Sequence, residues 1–77
     1  MGSYFSYIYV DNLIGITISE ANQYIINNKV YFDQNNTYRV TEIKVSGWGL
    51  SNTDYNFNRL NVKTDENGKI VKILYMG

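Results

Sequence analysis

The sequence predicts an α+β domain: one helix packed on a small mixed β-sheet, with a long exposed loop between two parallel strands. Three observations predict it. A single amphipathic helix, opened by a capping pattern at Thr17, stands among several short β-prone runs. The last two runs are joined through Asn67-Gly68, a hairpin dipeptide. The stretch from Ser46 to Asn58 shows no regular period, and it is long enough to run the length of a sheet, as parallel neighbours require.

The first element is Tyr4 to Val10 (YFSYIYV), aromatic and β-branched, and therefore a strand, at an edge. Asp11-Asn12 breaks it. In Thr17-Ile18-Ser19-Glu20 the Thr17 hydroxyl can accept from the Glu20 N–H while the Glu20 carboxylate reaches back to the Thr17 N–H. A helix starts there. Ile18, Ala21 and Ile25 share one face with Tyr24 beside them, and Asn27-Asn28 ends the helix, asparagine being tolerant of the left-handed conformation.

Lys29 to Asp33 is short and β-prone, and Gln34-Asn35-Asn36 reads as a turn. A strand from about 37 to 45 follows, with imperfect alternation. Beyond the Ser46 to Asn58 stretch, Leu60, Val62 and Thr64 alternate with Arg59, Asn61 and Lys63. The turn at Asp65-Glu66-Asn67-Gly68 then leads to a return strand from Lys69 to Met76. The expected core is Ile18, Ala21 and Ile25 against Val40, Leu60, Val62, Ile70 and Ile73. There is no repeat, proline or linker, so residues 1–77 read as a single domain.

Composition narrows function. At 77 residues the chain can remove only about 60% of its unfolded surface from water, and no cleft of ordinary enzyme size is expected. Seven basic residues balance seven acidic ones and are scattered, so nucleic acid is not an expected partner. Without cysteine or histidine there is no disulfide framework, no thiolate or imidazole metal site and no imidazole base. The expectation is a protein that is not an enzyme and carries no cofactor or metal.

No apolar run is long enough to span a bilayer and no secretion signal is read, so a soluble, intracellular protein is expected. Residues Met1-Gly2-Ser3-Tyr4-Phe5-Ser6 match the pattern for acylation at Gly2. One acyl chain binds membranes only marginally, and no basic residue precedes Lys29 to assist it. A membrane is not an expected partner.

Function is expected in the long irregular stretch, because loops of that length in compact domains are functional or disordered. SNTDYNFNRLNV, residues 51–62, sets an acid, an aromatic and one of the two arginines at the mouth of a strand. Two readings of Arg59 stay open: a solvated strand residue in a weak surface pair, or a support beneath the loop. Trp48, between Gly47 and Gly49, is either a core anchor or an exposed contact residue.

Leu13-Ile14-Gly15, Thr17, Glu20-Ala21, Thr53-Asp54-Tyr55, Asn58-Arg59-Leu60-Asn61-Val62, Asp65, Gly68-Lys69-Ile70-Val71 and Gly77 stand in an order and spacing that resembles the potato inhibitor I family of serine protease inhibitors. The resemblance covers residues 13–77, with extra residues after the helix. It implies a substrate-like binding loop formed by Leu50, Ser51, Asn52, Thr53, Asp54, Tyr55 and Asn56. The reactive bond is then Thr53-Asp54, and Arg59 is the loop support, reaching toward the Asp54 carboxylate. Three positions depart from the family's threonine or arginine: Asn52, Asn56 and Asn61. A small β-branched Thr53 suits an elastase- or subtilisin-type protease as partner.

The alternative from another class is a non-inhibitory binding module of the same fold, gripping a protein or small ligand through the loop, Trp48 and the inserted 29–38 segment. Homodimerisation through the aromatic edge strand is the further partner considered.

Overall fold

The computed structural model describes residues 7–46 and 56–77, with the side chain of Tyr7 excepted. The α+β expectation holds. Among the described residues, five strands form two small sheets that enclose one core with one α-helix. Strand β1 (Tyr7–Tyr9) pairs in parallel with β2 (Lys29–Tyr31). A second, mixed sheet has the order β3 (Glu42–Val45), β4 (Arg59–Thr64), β5 (Ile70–Met76), with β3 and β4 parallel and β4 and β5 antiparallel.

The first strand is shorter than expected within the described residues. Val10–Leu13 forms a 3-10 turn, which places Val10 and Leu13 one turn apart on the same side, and both are buried. The chain then crosses to the other sheet. The Gly15 N–H donates to the Ile70 carbonyl at 2.7 Å, and the Ile70 N–H to the Ile16 carbonyl at 2.8 Å, which tethers the helix entry to the start of β5.

Helix α1 (Ile18–Asn27) opens on the capping box that its sequence specifies. The Glu20 N–H donates to the Thr17 hydroxyl at 3.2 Å and the Thr17 N–H to the Glu20 carboxylate at 3.3 Å. Ala21 is fully buried, and Ile18 and Ile25 pack at the core's margin. Replacing Thr17 with alanine removes the hydroxyl that accepts from the Glu20 N–H but leaves the backbone N–H that the Glu20 carboxylate accepts, and urea denaturation is expected to show a loss of about 1 kcal/mol.

The helix ends at Asn27-Asn28 as expected, but its cap takes a different conformation. Asn28 is extended (φ −135°, ψ 157°), not left-handed. The chain enters β2 at the next residue, so the cap must already be in strand conformation, and the Asn28 N–H and amide both donate to the Tyr24 carbonyl.

The 33–36 turn is a true turn, with Asn36 at φ 57°. Asp33 organises it by accepting from the backbone N–H groups of Thr37 (2.9 Å) and Tyr38 (3.2 Å). Desolvation pushes the Asp33 carboxyl up, but the hydrogen bonds from Tyr38 and Thr37 outweigh it and hold it below its usual value.

The expected strand 37–45 is divided. Its first half returns along β2, where Phe32 N–H donates to Tyr38, Arg39 lies opposite Tyr31, and Val40 N–H donates to Val30. Only Glu42–Val45 joins β4. One stretch serves two sheets, so it must bend between them, and the alternation is imperfect for that reason.

Val10, Leu13, Ala21, Val30, Val40, Ile43, Leu60, Val62 and Ile70 form the buried core. Leu60 and Val62 enter this core from the central strand. Two register shifts on β5 alter its pairing with β4, the bulge irregularities that increase local twist. At the β4–β5 turn the Gly68 N–H donates to Asp65 O at 3.0 Å, and Gly68 takes φ 79°, where a side chain would be strained.

Candidate functional site

Because β3 and β4 are parallel neighbours, the chain leaving β3 at Val45 must come back to enter β4 at Arg59 in the same direction. The register sets Glu42 opposite Arg59, Ile43 opposite Leu60, and Lys44 opposite Asn61. Side chains alternate along a strand, so with Leu60 and Val62 committed to the core, Glu42, Arg59 and Asn61 project from the other face.

That face is not solvated at the mouth of β4. Arg59 is 7% exposed and Asn61 fully buried, so the reading of Arg59 as a solvated surface residue is excluded. The Arg59 Nε donates to Glu42 Oε2 at 3.4 Å, and the same oxygen accepts from Asn56 Nδ2 at 3.2 Å. One carboxylate, half exposed, therefore ties a residue at the end of the 46–58 stretch to a residue within the sheet.

The backbone at this foot is closely tied as well. Residues 56–59 form a turn in which the Arg59 N–H donates to the Asn56 carbonyl at 3.0 Å, and the Asn58 N–H donates to Asn56 Oδ1 at 2.9 Å. The Asn58 side chain donates to the Arg39 carbonyl at 2.9 Å. The Asn58 carbonyl in turn accepts from the N–H groups of Thr41 (2.9 Å) and Glu42 (3.3 Å). Asparagine here is not filler: each side chain links segments distant in sequence.

Asn61 has a different role from a loop-supporting arginine. Its Nδ2 donates to the Tyr75 carbonyl at 3.2 Å and to the Gly77 oxygen at 2.8 Å, while its buried Oδ1 accepts no hydrogen bond among the described residues. The Gly77 N–H donates to the Arg59 carbonyl at 2.9 Å. Asn61 thus secures the end of β5 beside the entry to β4.

Of the residues put forward from sequence, Asn56 and Arg59 meet at this foot through Glu42. Trp48, Leu50, Ser51, Asn52, Thr53, Asp54 and Tyr55 lie outside the described residues, as do Gly2 and the Tyr4 to Ser6 portion of the expected first strand. The proposed Arg59–Asp54 contact falls with them.

Two residues here were not singled out from sequence. Glu42 carried no signal, since its partner is chosen by strand register. Phe57 is 75% exposed at the tip of the 56–59 turn, and an aromatic between two asparagines was a signal that could have been read.

The inserted 29–38 segment contributes partly to structure: Val30 is buried, Phe32 packs at the core's margin, and Tyr38 is exposed. A shallow groove of about 540 Å³ between β1 and α1, lined by Ile8, Glu20, Gln23, Tyr24, Asn27 and Asn28, shares no residue with the foot. Among the described residues no cluster of acidic side chains is arranged to hold a metal ion, and no helix is long and apolar enough to cross a membrane. Neither family models, nor curated proteins, nor solved structures give a match to this chain.

Proposed function

We propose that the protein is a serine protease inhibitor of the substrate-like kind, presenting residues 50–56 to the enzyme with Thr53-Asp54 as the reactive bond. The observation that carries this reading is the tie at the foot of the 46–58 stretch, where Glu42 Oε2 accepts from both Asn56 and Arg59 between two parallel strands. A segment whose end is held before binding loses less conformational freedom on docking, so more of its contact energy appears as affinity.

The same tie bears on turnover. In this reading the protease serine attacks the Thr53 carbonyl, and the Asp54 amine is the leaving group. Asp54 stays joined through Tyr55 to the anchored Asn56, so its amine remains beside the acyl group and can re-form the bond. A well-oriented tethered group of this kind competes strongly with water. Thr53 is short and β-branched, which favours a protease with a small or shallow specificity pocket, of elastase or subtilisin type.

Incubation with a panel of serine proteases, followed by residual activity and by mass spectrometry of the chain, tests the reading. The expected result is inhibition of at least one elastase- or subtilisin-like enzyme, with slow cutting confined to Thr53-Asp54. Rapid degradation by every enzyme, or indifference across the panel, overturns it.

A further inference from the structure

Phe57 is the most exposed of the large apolar side chains among the described residues, at 75%. Its exposure is built into the local geometry. The turn that carries it is closed by the Asn56 carbonyl accepting from the Arg59 N–H (3.0 Å) and by Asn56 Oδ1 accepting from the Asn58 N–H (2.9 Å). The side chains on either side are tied down, Asn56 to Glu42 at 3.2 Å and Asn58 to the Arg39 carbonyl at 2.9 Å. The backbone bearing Phe57 is therefore braced to β3, β4 and the 39–41 stretch while its ring is left in water.

A braced, exposed aromatic has the properties of an interface anchor. It supplies a large apolar area, it has only two side-chain torsions to immobilise, and its backbone is already ordered. Ile26 is about as exposed, at 73%, but it lies on α1, away from this turn.

We propose that Phe57 is a specificity-determining contact that seats in an apolar recess of the bound protease, on the side of the enzyme that receives the leaving-group half of the loop. The proposal rests on the inhibitor reading, which puts Phe57 downstream of Thr53-Asp54 on the same strand of contact. It adds a demand on the partner: besides a pocket that accepts Thr53, the enzyme must offer apolar surface beyond its leaving-group subsites. Enzymes alike in their primary pocket are discriminated by that surface.

The test compares wild type, Phe57→Ser and Phe57→Leu against the protease that wild type inhibits best in the panel. Three quantities are read: the inhibition constant, the rate of cutting at Thr53-Asp54 within the complex, and the thermal unfolding midpoint. Phe57→Ser is expected to weaken inhibition about tenfold or more, as loss of an anchor does, with the cutting rate and the midpoint unchanged; Phe57→Leu is expected to recover most of the loss. Equal inhibition by wild type and Phe57→Ser overturns the proposal and leaves the inhibitor reading standing. Weakened inhibition accompanied by faster cutting or a lower midpoint also overturns it, because Phe57 would then be supporting the loop. Indifference of wild type to the whole panel overturns both.

Discussion

Arg59→Ala is expected to speed proteolytic cutting of the 50–56 stretch about 10- to 100-fold, the equivalent of losing one charge-assisted hydrogen bond of about 1.5–3 kcal/mol. The Arg59 side chain is 8% exposed and shares Glu42 Oε2 with Asn56. Without it, the Glu42 carboxylate is half exposed and rehydrates cheaply, so the cost to global stability is smaller than for a fully buried pair, about 1–3 kcal/mol. Cutting is therefore expected to accelerate while the variant still folds. Arg59→Lys is not expected to restore the wild-type rate, since a lysine lacks the planar fork. Mass spectrometry of the chain during incubation with the inhibited protease measures the rate, and urea denaturation measures stability. An unchanged cutting rate in Arg59→Ala removes Arg59 from the mechanism.

Leu60→Ala is expected to have the largest effect on stability, about 2–5 kcal/mol. Leu60 is fully buried in the central strand β4, opposite Ile43 on β3 and Met76 on β5, so the cavity opens between both strand pairings within the core. Small domains are held by about 5–15 kcal/mol in all. At about 4–8 °C per kcal/mol for a domain of this size, the thermal midpoint should fall by about 10 °C or more. Ile26→Ala, on the exposed side of α1, is the comparison and should stay within about 0.5 kcal/mol. A Leu60→Ala midpoint equal to that of Ile26→Ala would contradict the packing described for β4.

The local signals in the sequence carried through to structure where their physics is local. Thr17 and Glu20 form the capping box because both partners lie within one helical turn. Gly68 supplies the positive φ that the hairpin needs, and Leu60 and Val62 in alternation mark the face of β4 that joins the hydrophobic core. Misreadings occurred where an element was shared or truncated by a neighbour. Val10 left the first strand to enter a 3-10 turn, Asn28 was drawn into extended form by β2, and the 37–45 run was divided between β2 and β4.

The candidate site divides along the same line. That the strands on either side of residues 46–58 would run parallel, with Arg59 at the entry to the second, was legible from the spacing of β-prone runs. That Glu42 would meet Arg59 was not, because the two are brought together only by the parallel register of β3 and β4. Nor was the burial of Asn61, whose amide holds Tyr75 and Gly77 from the far end of the chain. Sequence by itself determined the helix, the hairpin and the core-facing residues of the central strand, since periodicity, capping and turn chemistry act over a few residues. The tertiary structure decided which polar side chains are buried and which partners they take, since those depend on strand register, a property of the whole packed sheet.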